Sequence, residues 1–382
     1  MIKFISLLLY SVYILSFCFS QTDSAKKADS LLLMQIQSEM QQTPTSQPKQ
    51  RVAASANPDI SVIGDFRGLY RSYGYHNFDA VLNEAEFSFQ SVVDPYVRAD
   101  FFYSIGEDAA TGNFSSEIEE GYLTTLSLPA HLQLKAGRLK QQLGRVNPVH
   151  AHALPFADMP DAFVNFFGEE GLKGDGVSLS WLLSNHTFFQ ELTVEATNVS
   201  NNPSFERSKK NNYLYLAHLK NFWDLSANAT LELGLTGMQG ENLSKKITNI
   251  GAVDLTYKWK PVRYNTYKSV TFQNELYYSQ AMLDSSTVNA IGFYSMLNIQ
   301  VAKRWFLAGR FDYSNTPYSA QFVQQSGSLT LGWYATEFQK IEIEGKYTTM
   351  NEALPENHNE KNFEMAYLRW IFVIGTHGAH QY

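Results

Sequence analysis

From Asp59 onward, apolar and polar residues alternate with a period of two. That period belongs to strands with one face toward an apolar phase and the other toward water. Val97, Ala99, Phe101 and Tyr103 form one apolar set, and Val177, Leu179, Trp181 and Leu183 another. Val253, Leu255, Tyr257 and Trp259, and then Ile341, Ile343, Gly345 and Tyr347, repeat the pattern, with mainly polar residues between. Sixteen such segments begin near Ile60, Leu82, Tyr96, Glu117, Leu132, Val177, Phe188, Tyr213, Ala227, Ile250, Val270, Ala290, Trp305, Ser326, Lys340 and Phe363. The count falls to fourteen if two weak segments are not strands. Trp370, Phe372, Ile374 and Tyr382 share one phase at the end of the chain.

The connections alternate in length. Short ones lie at Val93–Pro95, Leu128–Ala130, Ser184–His186, Trp223–Leu225, Ala302–Arg304 and Thr336–Phe338, with a longer one at Pro261–Thr266. Between them fall longer ones around Ser72–Asp79, Gly106–Ser116, Asn198–Asn212, Gln239–Thr248, Met282–Asn289, Asn315–Gln321 and Met350–Lys361. Short turns on one side and longer loops on the other are the habit of outer-membrane barrels. The predicted fold is all-β, a transmembrane antiparallel barrel of about sixteen strands over residues 59–382. An aromatic C-terminal strand ending at Tyr382 suits recognition by the barrel-assembly machinery.

The N-terminus begins Met1-Ile-Lys3, continues with an apolar run from Phe4 to Phe19, and reaches Ser20-Gln21. This is the layout of a secretory signal peptide, with cleavage expected after Ser20. The run is short for a membrane anchor helix, which needs roughly 20 apolar residues. Cleavage removes Cys18, the single cysteine, so the mature chain is expected to lack disulfides and thiol chemistry. Residues 21–58 read as a periplasmic helix, carried by Leu31, Leu32, Leu33, Met34, Ile36 and Met40, followed by a Thr/Ser/Pro/Gln linker.

Aromatic residues make up 14% of the chain, as expected where aromatic girdles mark two membrane interfaces. The net charge of −7 argues against nucleic acid or anionic lipid as a partner. The expected partners are outer-membrane lipid and small polar solutes, and a homo-oligomer is compatible with the pattern.

One connection is out of scale. Arg138 to Asp175 lies between the fifth and sixth strands, and a loop of that length is usually functional or disordered. Phe156, Phe163, Phe166 and Phe167 favour a packed loop over a disordered one. The similarity of its position to the loop after the fifth strand in sixteen-stranded diffusion porins implies that it folds into the lumen and narrows it.

Here the residues carry a resemblance. Gly137-Arg-Leu-Lys-Gln-Gln-Leu-Gly144, Phe166-Phe-Gly-Glu-Glu-Gly-Leu172 and Gly176-Val-Ser-Leu-Ser-Trp181 resemble the strand, constriction loop and strand of the phosphate-selective porin superfamily. They are more similar still to porin-like outer-membrane proteins of Bacteroidota-type bacteria, some labelled TonB-dependent receptors. The likeness implies a pore. The dense Arg/Lys ladder that phosphate selectivity implies is not present, and the roughly 38 residues before the first strand leave no room for a receptor's plug.

The inward phase of the strands carries Arg67, Arg71, Arg98, Lys135, Lys220, Lys258, Lys260, Arg310, Lys340 and Lys346. It also carries Asp65, Glu84, Glu86, Asp100, Glu117, Glu119, Glu191, Glu195, Glu232, Asp254, Glu275, Asp312, Glu342 and Glu344. Fourteen acids against ten bases predict a weakly cation-preferring or unselective wall, since acidic rings favour cations. Cross-strand pairing of these charges is the plainer role. The expected constriction residues are Arg138, Lys140, Arg145, His150, His152, Asp158, Asp161, Glu169 and Glu170.

His150-Ala-His152 puts two imidazoles on one side of an extended segment, where Asp158 or Glu169 could complete a metal site. Two histidines alone do not establish one, so no metal and no cofactor is expected. His377 and His380 fall on opposite faces of a strand. No Gly-x-Ser-x-Gly elbow, phosphate loop or His-Glu-x-x-His motif occurs, so an enzyme is not expected. The leading function is a passive porin constricted by the loop after the fifth strand. The alternative is a specific uptake receptor, for instance for a metal, without its own plug.

Overall fold

A computed structural model describes residues 58–375, apart from 75–76, 109–110, 185–186, 200–201, 207–211, 265–266, 285 and 355–357. The signal sequence, the Leu31–Met40 helix, the linker, His377, His380 and Tyr382 lie outside the described residues.

The strands are β1 (Asp59–Arg71), β2 (Phe78–Asp94), β3 (Val97–Glu107), β4 (Phe114–Thr125), β5 (Leu132–Lys140) and β6 (Lys173–Leu183). They continue as β7 (Phe189–Asn198), β8 (Leu214–Ser226), β9 (Ala229–Glu241), β10 (Ile247–Trp259) and β11 (Ser269–Met282). The last five are β12 (Thr287–Ala302), β13 (Trp305–Thr316), β14 (Ser319–Thr336), β15 (Gln339–Met350) and β16 (Asn362–Gly375). Each pairs antiparallel with its neighbours in sequence. β16 returns to β1 from Ser61↔Gly375 to Arg71↔Met365, closing the barrel. Closure satisfies every strand's backbone within the sheet, the condition for crossing hydrocarbon with strands.

The alternation read from the sequence sets the faces. Phe66, Leu179, Trp181, Val253, Leu329, Leu331, Ile343, Leu368 and Trp370 are all exposed on the outside. A continuous apolar belt of this kind is a lipid-facing surface. Toward the short-turn end Trp305 stacks on Trp333, centroids 5.9 Å apart, as expected of an interfacial aromatic girdle.

Three features differ from the sequence reading. The connections expected to be long at Gln239–Thr248, Met282–Asn289 and Asn315–Gln321 shrink to residues 242–246, 283–286 and 317–318, because polar residues read as loop continue the strands. The inner face is not polar throughout. Leu214, Leu216, Met238, Ile250, Ala252, Tyr277, Tyr294 and Met296 form a buried apolar patch on the inner wall of β8–β12. Lastly, bulges break strict alternation in β2, where Asn83 is the extra residue, and in β4, where Glu119 is. A bulge re-aims the side chains beside it.

The face assignment has a direct test. Ile343→Arg puts a charge in the lipid belt and is expected to cost about 2–4 kcal/mol in denaturant unfolding of the lipid-inserted barrel. Thr256→Arg points inward and is expected to cost much less. The reverse order would show that the strand phase is inverted.

Candidate functional site

Residues 141–172 connect β5 to β6 through a 3-10 turn, Ala151–Ala153, and a short helix, α1 (Asp161–Phe167). They bond to inward-facing residues of β2, β4, β7, β9, β11 and β13–β16, so the segment lies inside the barrel. Asn147 closes its neck. The Asn147 side chain donates to the Gln141 and Leu172 carbonyls at 2.7 and 2.9 Å and accepts from the Leu172 N–H at 2.7 Å.

One side of the segment is apolar. Leu143, Val146, Phe156, Phe163, Phe166, Phe167 and Leu172 are almost fully buried and cluster with the apolar patch of β8–β12. Phe167 meets Tyr277 edge-on at 5.2 Å. Gly292 makes room for Phe166, since a Cβ there would come within 2.9 Å of the Phe166 ring. From the loop after β7, Asn202 and Ser204 donate to the carbonyls of Phe167 and Phe166, satisfying the end of α1.

The other side is held by charge. Arg310 and Lys346 reach Asp158 at 2.7 and 2.6 Å, and Lys346 reaches Asp161 at 2.6 Å. Arg369 on β16 is fully buried, with all five N–H groups engaged. Its guanidinium donates to Asp65, to Glu342, to the Phe156 carbonyl at 2.9 Å and to the Ala151 carbonyl at 3.0 Å. Lys340 donates to the Leu154 carbonyl at 2.9 Å, and Glu344 accepts the Ala157 N–H at 2.6 Å. Glu275 accepts the N–H groups of Arg145 and Val146 as well as the hydroxyls of Tyr277 and Tyr294. Gly144, at φ 57°, allows this approach, because a Cβ there would lie 2.1 Å from a Glu275 oxygen.

A third anchor centres on His150. Its Nδ1 lies 2.7 Å from Glu86 and 3.1 Å from Glu119, and its Nε2 lies 3.0 Å from Glu120. Burial and Lys140 lower the imidazole pKa, but Glu86, Glu119 and Glu120 more than offset them, so it is raised well above its ordinary value. His152 sits beside it, with ring centroids 5.7 Å apart.

The residues expected at the constriction therefore divide. His150, His152 and Asp161 are buried between segment and wall and Asp158 is half-buried there, while Arg145 reaches Glu232 at 3.4 Å. Lys140 ends β5 and faces Glu119 at 3.5 Å. Glu169 and Glu170 are exposed just beyond α1, Glu170 pairing with Lys173 at 2.7 Å. Arg138 takes the outward phase. It pairs in register with Gly121 and Asp175, and a guanidinium on that face does not line the lumen. Asp158 and Glu169 do not join the His150 cluster, where the carboxylates come from β2 and β4 instead. The wall residues Arg98, Asp100, Lys135, Arg310, Asp312, Glu342 and Glu344 all take the inward phase.

Two wall residues went unread. Arg369 stands in the inward phase between outward Leu368 and Trp370, a signal present in the pattern. Glu120 is turned inward by the β4 bulge, which a strict period of two places outside.

Burial also changes the charge of the wall. Ten of the fourteen inward acids are buried, namely Asp65, Glu86, Asp100, Glu119, Glu195, Asp254, Glu275, Asp312, Glu342 and Glu344. Only Arg310, Lys340 and Lys346 are buried among the ten bases. The water-exposed remainder is thus basic, the opposite of the sequence tally. Beneath the segment, toward the short turns, lies a cavity of about 440 Å³ lined by Arg145, Lys258, Lys260, Lys340 and Glu342. Its room for roughly fifteen waters, at about 30 Å³ each, suits a hydrated small solute.

No family model matches the chain. It is 25% identical over 391 residues to an uncharacterised protein of Aquifex aeolicus, covering 85% of this chain and 80% of that one. Among solved structures it is similar to an anion-selective porin from Comamonas acidovorans, with TM-score 0.56, 9% identity, and 82% of this chain and 98% of that one covered. It is also similar to the outer membrane channel DcaP of Acinetobacter baumannii, with TM-score 0.55, 12% identity, and 84% and 99% covered. A third is OpdK of Pseudomonas aeruginosa with vanillate, with TM-score 0.52, 7% identity, and 85% and 100% covered. The fold is that of an outer-membrane porin barrel.

Burial would raise the Asp158 carboxyl's pKa, but Arg310 and Lys346 overcome it and hold the group well below the usual carboxylate range. A group with a depressed folded pKa contributes stability above its unfolded value, about 3.9, and loses it as the pH falls through the folded one. Attachment at Asp158 is therefore expected to hold from neutral pH to about pH 4 and to weaken only in stronger acid. Asp158→Asn is expected to weaken it by about 2 kcal/mol at neutral pH, measured as faster proteolysis within 141–172 of the folded barrel. Equal cleavage rates in parent and variant would mean that this pair does not hold the segment.

Proposed function

We propose that the protein is a passive diffusion channel of the bacterial outer membrane for small hydrophilic solutes, that residues 141–172 constrict it, and that it prefers anions. The observation that carries this reading is the asymmetry of wall burial. Ten of the fourteen inward acids are buried against the segment or against wall bases, whereas Arg145, Lys258 and Lys260 stay at the cavity. Neither Lys258 nor Lys260 has an ion-pair partner among the described residues. Basic side chains lining a pore raise the local concentration of anions, and low-dielectric surroundings strengthen the effect.

The likeness to a porin described as anion-selective is consistent with this preference, as is a neighbour solved with vanillate, a carboxylate. The finer resemblance of Gly137 to Trp181 to phosphate-selective-type porins points the same way, although the arginine ladder of such a pore is not present. Residues 1–20 would direct export, and residues 21–58 would remain in the periplasm.

The test is planar-bilayer recording of the purified barrel under a KCl gradient. Steady channel steps and an anion-preferring reversal potential are expected, and Lys258→Glu with Lys260→Glu is expected to move that potential toward cations. Deleting 147–167 is expected to raise the unit conductance, since strand closure does not depend on the segment. An inserted deletion variant with parental conductance and selectivity would show that the segment does not constrict the path. Silence of the parent would move a specific uptake receptor ahead of the porin.

A further inference from the structure

The cluster around His150 has more negative charge than its bases neutralise. Glu84, Glu86, Glu119 and Glu120 meet there, against the Lys140 ammonium and the imidazoles of His150 and His152. Glu84 stands beside Glu119 in the same cluster. The concentration of acids is built into the wall. On β2, Glu84 and Glu86 share the inner face by the ordinary period of two. On β4 the bulge at Glu119 brings the adjacent Glu119 and Glu120 to that face, where an uninterrupted strand would send one of them outward.

The geometry at His150 calls for a cation with more than one bond to give. Two carboxylate oxygens, from Glu86 and Glu119, crowd the single ring atom Nδ1 at 2.7 and 3.1 Å. One N–H can aim at only one of them. Nδ1 and the Glu86 Oε2 are both buried, and neither makes a hydrogen bond of acceptable geometry. Glu86 is 1% exposed and His150 6%. On the far side of the ring, Glu120 holds Nε2 at 3.0 Å, the carboxylate–imidazole arrangement that orients metal-binding histidines.

We propose that Glu86, Glu119 and His150 bind one first-row divalent cation of the Zn²⁺ type, which pins residues 141–172 to β2 and β4. The three donor atoms lie within 4.8 Å of one another. A metal about 2.1 Å from each would set their separations near 3.4 Å, so small side-chain movements close the site. One imidazole with two carboxylates suits a borderline ion better than Mg²⁺ or Ca²⁺, which prefer oxygen alone. His152, whose Nδ1 lies 3.6 Å from the Glu86 oxygen, is the nearest further donor. The site stands whether or not the barrel conducts, and it assigns the metal to the fastening of the segment rather than to the solute path.

The test uses the full-length barrel, folded in detergent and stripped with EDTA. Calorimetric titration with Zn²⁺ is expected to show one tight site per chain, and Co²⁺ is expected to give visible d–d bands. Glu86→Gln and His150→Gln should each weaken Zn²⁺ binding at least 100-fold, while His377→Gln with His380→Gln should leave it unchanged. Heat-modifiable migration checks that each variant folds. Crystals of the parent grown with Zn²⁺ serve as a measurement that needs no variant, with the anomalous peak expected about 2.1 Å from His150 Nδ1. Absence of tight binding by the parent would overturn the proposal. So would binding that survives both cluster variants, binding lost with the C-terminal histidines, or an anomalous peak elsewhere.

Discussion

An irregular chain inside a barrel must have its backbone polar groups satisfied, because a buried N–H or carbonyl without a partner costs about 1–3 kcal/mol. Residues 141–172 have little secondary structure to meet that need. The wall meets it instead. Arg369 serves the carbonyls of Ala151 and Phe156, Lys340 serves that of Leu154, Glu344 takes the N–H of Ala157, and Glu275 takes those of Arg145 and Val146. These side chains stand on three strands, β11, β15 and β16. The segment's path is therefore written into the spacing of charges around the inner face, and the barrel can hold an irregular chain where water would otherwise solvate it.

The charged contacts leave the hydrophobic term to the other side of the segment. Phe163, Phe166 and Phe167 on one face of α1 meet Tyr277, Tyr294 and Met296, and Gly292 lets the contact close. Burial of aromatic side chains contributes about 1.5–3 kcal/mol each, so this face supplies affinity while the charged groups set position. The division has an electrostatic consequence. Acids committed to the segment no longer face the solution, and the cavity below it is left to Arg145, Lys258 and Lys260.

Much of the fold was legible in the sequence, because a period of two survives wherever one face meets lipid. Strand starts read from alternation fall within a few residues of those observed, the largest difference being at β14, which begins at Ser319 rather than Ser326. Hairpin lengths were less legible, since Ser, Thr and Gln prolong a strand beyond the membrane as readily as they form a loop. The length and phenylalanines of 141–172 marked it as special. What the pattern could not supply was which wall charges it would cover, a tertiary fact that reverses the apparent charge of the lumen. The apolar residues Leu214, Leu216 and Met238 in the inward phase were a readable sign of a docking patch. Glu120 was not readable, because a bulge changes the face of everything beyond it without any mark in composition.

The central claim is that the wall's charged side chains bond the backbone of 141–172 inside the barrel. Amide hydrogen exchange of the detergent-folded protein, resolved residue by residue, tests it most directly. The amides of Arg145, Val146 and Ala157 should exchange as slowly as those of the strands that hold them, and Glu344→Gln should speed Ala157 more than Arg145. Exchange of all three at the rate of an unstructured peptide would contradict the account.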